Sequence, residues 1–62
     1  MPYVNIRVAG KLSRKEKENI CQGVTEVIAR EAAKPADSIL IFIDEVEHEN
    51  IAKGGTLLQA PR

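Results

Sequence analysis

The sequence predicts an α+β fold: a single β-α-β unit with parallel strands and a short C-terminal hairpin, completed by oligomerisation. Three observations predict it. Residues 3–8 alternate apolar and polar, an amphipathic repeat fills the stretch between Ser13 and Pro35, and Ile39 to Ile43 is an unbroken apolar run.

In the first strand Val4, Ile6 and Val8 point one way and Tyr3, Asn5 and Arg7 the other, the period of a half-buried strand. Ala9-Gly10-Lys11-Leu12 forms a loop. Ser13 followed by Glu16 is a capping box, in which each side chain satisfies a backbone amide that the first helical turn leaves unpaired. The helix runs to about Ala33. Ile20, Val24, Val27, Ile28 and Glu31 or Ala32 recur at three- and four-residue intervals, while Lys15, Glu18, Gln22, Glu26 and Arg30 take the other faces. Pro35 ends the helix, because it lacks the amide that would continue the ladder and restricts Lys34 before it. Ile39-Leu40-Ile41-Phe42-Ile43 reads as a strand buried on both faces. Two strands joined by a crossover helix run parallel. Asp44 to Asn50 is a polar, acidic segment, and Gly54-Gly55 sets a turn before Thr56-Leu57-Leu58, one arm of a hairpin.

The length explains why partners are needed. A chain of 62 residues buries too small a fraction of its surface to fold securely alone. The single cysteine, Cys21, excludes an internal disulfide, and one His beside one Cys cannot supply four ligands to a structural zinc. One helix covers only one face of a two-stranded sheet, so another copy of the chain must cover the other. A homo-oligomer is expected. With 44% hydrophobic residues but only Tyr3 and Phe42 aromatic, the core is aliphatic.

Nine Lys and Arg balance nine Asp and Glu, which removes the positive field that gathers nucleic acid or anionic membrane. No window approaches the roughly 20 apolar residues of a membrane span, and the first residues do not resemble a targeting signal, so a cytoplasmic protein is expected. The balance conceals two blocks. Arg7, Lys11, Arg14, Lys15 and Lys17 face only Glu16 in residues 1–17, and Asp44, Glu45, Glu47 and Glu49 lie together without Lys or Arg. These are two solvated surfaces, a basic cluster that attracts a small anion, or two blocks that meet across a subunit interface.

Cys21 lies near the apolar stripe as a small buried thiol, and His48 among acids reads as a surface histidine or a pH-dependent contact between subunits. Pro2 is more unusual. Removal of Met1 leaves Pro2 with a free secondary amine at the start of a strand. An α-amino group titrates at about 7.7–8.0 in simple peptides, and burial or nearby Lys and Arg lower that toward neutrality, where a general base works best.

Met-Pro-Tyr-Val-Asn-Ile before a β-α-β unit, Ile-Asp-Glu-Val closing the second strand and Glu-Asn-Ile-Ala-Lys-Gly-Gly after it together resemble the 4-oxalocrotonate tautomerase family. The likeness covers Pro2 to about Leu58, within a single domain of residues 1–62. The resemblance implies a cofactor-free isomerase in which Pro2 moves a proton within an enol or keto acid. It also implies a hexamer, a trimer of dimers, with sites near subunit boundaries and no metal, nucleic acid or membrane partner. Cationic side chains and backbone amides would hold the substrate carboxylate and stabilise enolate charge.

The residue match is partial. The family's arginine after a glycine in the first loop is Lys11 here, a point charge without the guanidinium fork, with what looks like one residue inserted before the helix. Arg14, at the helix start, is the alternative cation. A second family arginine is replaced by Leu40, and an aromatic residue before the glycine pair by Ile51, which keeps an apolar wall without the ring. Pro2 as base and Lys11, Arg14, Leu40 and Ile51 as substrate contacts form the candidate site, and the loss of arginines points to a monoacid or another carbonyl compound. A non-catalytic oligomeric binding module on the same scaffold is the alternative. A small DNA-binding dimer would need a second helix where 39–43 reads as strand.

Overall fold

The computed structural model describes residues 1–61 of the chain; Arg62, the last residue of the expected domain, lies outside them. Strand β1 (Tyr3–Ala9) leads through a loop into helix α1 (Arg14–Glu31), and strand β2 (Leu40–Val46) returns parallel to β1. Short strands β3 (Ala52–Lys53) and β4 (Thr56–Leu57) pair antiparallel as a separate arm. This is the expected β-α-β unit with its hairpin.

The helix starts as the sequence requires. Ser13 accepts from the Glu16 amide at 3.1 Å, and the Glu16 carboxylate accepts from the Ser13 amide at 2.8 Å. Those bonds hold the Glu16 carboxyl below the usual carboxylate range. The helix stops a little sooner than proline alone would stop it. Its C-cap is Ala32, and Ala33 takes a φ of 53°, so that the Lys34 amide donates back to the Ala29 carbonyl at 3.2 Å. That is a Schellman closure with alanine where glycine is usual. Pro35 then opens a single 3-10 turn over Ala36–Ser38, tied by the Ser38 hydroxyl donating to the Pro35 carbonyl at 2.7 Å.

Register places Val4 opposite Ile41 and Ile6 opposite Ile43 on the half-buried side of the sheet. Ile20, Val24 and Ile28 make the half-buried stripe of α1, with Cys21 also half-buried; Val27, 47% exposed, falls outside the stripe, one residue and so about 100° around the helix from Ile28. The other side of the sheet is open. Tyr3 is 69% exposed, Leu40 42% and Phe42 54%, with the Tyr3 and Phe42 rings edge to face at 6.2 Å. Within one chain the second strand is therefore covered on one face only, because one helix shields one side and the expected cover for the other is a second copy. Among the described residues only Ile39, at 8% exposed, is buried.

β2 also extends past the apolar run to Val46, so the acidic block begins inside the strand. The β1 ladder continues through Arg7, Val8 and Ala9 and pairs with Asp44, Glu45 and Val46. Backbone pairing overrides the change in hydropathy. After β2, one 3-10 turn spans His48–Asn50. Gly54 and Gly55 then hold φ of 60° and 86°, the two positive values that a tight two-residue hairpin demands.

The result is a slab of 41 × 25 × 13 Å. Its radius of gyration is 14.6 Å, where a compact domain of this length has about 11 Å. The chain exposes 5082 Å², whereas a folded monomer of 6.8 kDa exposes about 4,000 Å². No helix among the described residues is long and apolar enough to cross a membrane.

Candidate active site

Pro2 sits half-buried immediately before β1, and its carbonyl accepts from the Leu40 amide at 3.0 Å. That bond begins the parallel ladder and fixes the Pro2 backbone at the amino end of the sheet. Leu40 is thus beside Pro2, as the candidate site requires.

The other candidates lie at the opposite end. Lys11 follows the carboxyl end of β1, Arg14 opens α1, and Ile51 comes after the turn that closes β2. The seven residues of β1 span about 20 Å at some 3.3 Å per residue, so Lys11 of one chain does not reach Pro2 of the same chain. The candidate residues thus fall into two groups: Pro2 and Leu40 at one end of the sheet, Lys11, Arg14 and Ile51 at the other.

The basic and acidic blocks meet within the chain. Arg7 and Asp44, opposed in register, approach to 3.6 Å on the open face, and Lys17 reaches Glu45 at 2.8 Å. Arg14 pairs with Glu18 at 3.3 Å, one turn along the helix. Exposed pairs of this kind stabilise little, but they assign charges. Lys11 and Lys15 have no ion pair among the described residues.

Two residues at the carboxyl end were not singled out as site candidates from the sequence. Glu45 lies on the helix-facing parity set by Ile41 and Ile43, and its carboxylate accepts from the Leu12 amide at 2.7 Å as well as from Lys17. The Lys17 hydrogen bond, then the Leu12 amide, hold its carboxyl below the usual range. The period-two continuation of β2 is the signal that would have found it. His48 is half-buried rather than a fully solvated loop residue. Its ring lies over Gly10, where an added Cβ would stand 3.0 Å from Cε1, and Gly10 has φ of +91°. Both conditions call for glycine there. A cleft of about 400 Å³ between the His48 turn and the C-terminal segment is lined by Glu47, His48, Glu49, Leu58, Gln59 and Ala60, none of them a candidate residue. Among the described residues no group of three or more His, Cys, Asp and Glu is placed to hold a metal ion.

The structure is thus a parallel β-α-β slab with a proline just before its first strand and Lys11 and Arg14 beyond the far end of that strand. The family profile described as tautomerase enzyme matches residues 2–60, and the chain belongs to that family. A probable tautomerase of Dickeya dadantii is 34% identical over 56 residues, covering 89% of this chain and 84% of that protein. The 2-hydroxymuconate tautomerase of Bacillus subtilis is 28% identical over 58 residues, covering 94% of each chain. The crystal structure of DmpI from Helicobacter pylori superposes with a TM-score of 0.81 at 27% identity, covering 90% of this chain and 88% of that one. The chain is a tautomerase, an isomerase of divergent sequence within the 4-oxalocrotonate tautomerase family.

Proposed function

We propose that this tautomerase works without a cofactor and moves a proton within an enol or keto monocarboxylic acid, with Pro2 as general base after removal of Met1. The observation that carries the reading is the backbone bond from Leu40 to Pro2, which sets the proline ring at the end of a rigid sheet. A secondary amine there takes a proton from the enol oxygen, or from carbon beside a carbonyl, and returns it to another carbon. Lys11 binds the carboxylate, Arg14 flanks it when released from Glu18, and Leu40 and Ile51 form apolar walls that exclude water. Lys11 and Lys15 of the basic cluster are without an ion pair among the described residues, and the apolar Leu40 in place of a second arginine favours one carboxylate over two. The relatives' names as tautomerases favour catalysis over a non-catalytic module.

The two groups of candidate residues join when a second copy packs head to tail and brings its carboxyl end to Pro2. The open sheet face supports such packing, since the chain exposes about 1,100 Å² beyond the area of a self-sufficient monomer. Assembly into a hexamer, as three dimers in the cytoplasm, completes the reading. Intact mass establishes whether Pro2 is amino-terminal, and turnover of phenylenolpyruvate and 2-hydroxymuconate is compared for wild type and Pro2→Ala. Loss of ketonisation in the variant is expected; equal rates overturn the mechanism.

A further inference from the structure

The loop that carries Lys11 is held at each neighbouring residue. The Gly10 amide donates to the Val46 carbonyl at 2.8 Å, and the His48 ring closes over Gly10. On the other side the Leu12 amide donates to Glu45 Oε2 at 2.7 Å, while Glu45 Oε1 accepts from Lys17 Nζ at 2.8 Å. One carboxylate thereby joins three elements: β2, the residue next to Lys11, and the first turns of α1.

The geometry points to Glu45 as the positioning residue of the anion-binding loop. It fixes the backbone at Leu12, next to Lys11, and keeps the Lys17 ammonium engaged, leaving Lys11 without an ion pair among the described residues and so available to the substrate carboxylate. Glu45 touches neither substrate nor the reacting atoms; it acts through Lys11. The inference rests on Lys11 being the carboxylate contact of the proposed site. A charge held in one place binds better than one that must be ordered on binding, because the entropy of ordering is already lost in the free protein.

The test is a double-mutant cycle on Lys11→Met and Glu45→Ala, read by kinetics with phenylenolpyruvate and by NMR titration of the assembled protein with pyruvate, a monocarboxylate probe that needs no turnover. Each single variant is expected to raise KM and the pyruvate Kd by about tenfold with kcat within about twofold, and the double variant to be no worse than Lys11→Met. Glu45→Gln, which keeps an oxygen for the Leu12 amide, restores most of the affinity. Lys17→Met, which leaves Glu45 on Leu12, gives a smaller rise of about threefold and serves if Glu45→Ala does not fold. Additive losses in the cycle, or an unchanged KM and Kd in Glu45→Ala or in Lys17→Met, overturn the proposal. The readouts separate from the proposed chemistry: Pro2→Ala with full activity removes the proline mechanism while the pyruvate cycle still judges Glu45, and an inactive Pro2→Ala beside an unaffected Glu45→Ala removes only the positioning role.

Discussion

Replacing Phe42 by serine should weaken assembly while leaving the fold of the assembled subunit unchanged. Phe42 is 54% exposed, so of the roughly 200 Å² that a phenylalanine presents, about 110 Å² awaits cover. At about 25 cal/mol per Å² its burial against a second copy contributes about 3 kcal/mol per subunit, or roughly a hundredfold in the association constant. Within the chain the same side chain gains little beyond the edge-to-face contact with Tyr3. The excess surface of about 1,100 Å² exceeds the roughly 800 Å² that each partner contributes to a standard interface, so the open face is large enough to form one. Sedimentation velocity at concentrations from nanomolar to millimolar would follow wild type and Phe42→Ser, with far-UV circular dichroism to confirm the fold. The concentration at half-assembly should rise by about two orders of magnitude. A wild-type chain that stays a folded monomer at micromolar concentration, or a Phe42→Ser curve superimposed on the wild-type one, would show that the open face is not an interface.

Ala33→Gly should stabilise the protein by about 0.5–1 kcal/mol, because alanine is strained at a φ of 53° and glycine is not; an unchanged or lower melting temperature at equal protein concentration would contradict this. Gly10→Ala should destabilise by about 1–3 kcal/mol, through the φ of +91° and the 3.0 Å approach to His48, and urea unfolding measures it; a neutral result would mean that the loop can move away. Stability should also fall in acid. Glu16 and Glu45 both have carboxyl groups held below the ordinary value of 4.5, so their contribution is present above that pH and disappears as pH drops through the lowered values. Urea midpoints at pH 6, 4.5 and 3 should decline mainly in the last interval, and the decline should shrink in Glu16→Gln/Glu45→Gln; equal acid sensitivity in both proteins would assign it elsewhere.

Local signals made most of the elements legible. The period of Tyr3 to Val8, the Ser13–Glu16 box and the glycine pair each determine conformation through neighbours a few residues away, and all three appear as read. One boundary that shifted depends on a distant partner, the other on a bond within the last helical turn. β2 runs on through Asp44 and Glu45 because β1 offers a ladder there, and α1 closes at Ala32 because Lys34 can turn back to Ala29. The candidate site was legible as a set of residue types but not as an arrangement. Pro2 and Lys11 are nine positions apart, and only the extended strand between them, about 20 Å long, places them at opposite ends.

From the sequence alone came the β-α-β order, the capping box that opens the helix and the glycine pair that turns the hairpin. Tertiary structure alone decided which charges cancel. Parallel register brings Arg7 to Asp44, the helix brings Lys17 to Glu45, and the loop leaves Lys11 without an ion pair among the described residues. Composition records how many charges there are, whereas pairing depends on distance, and distances between residues 28 positions apart exist only once the chain is folded.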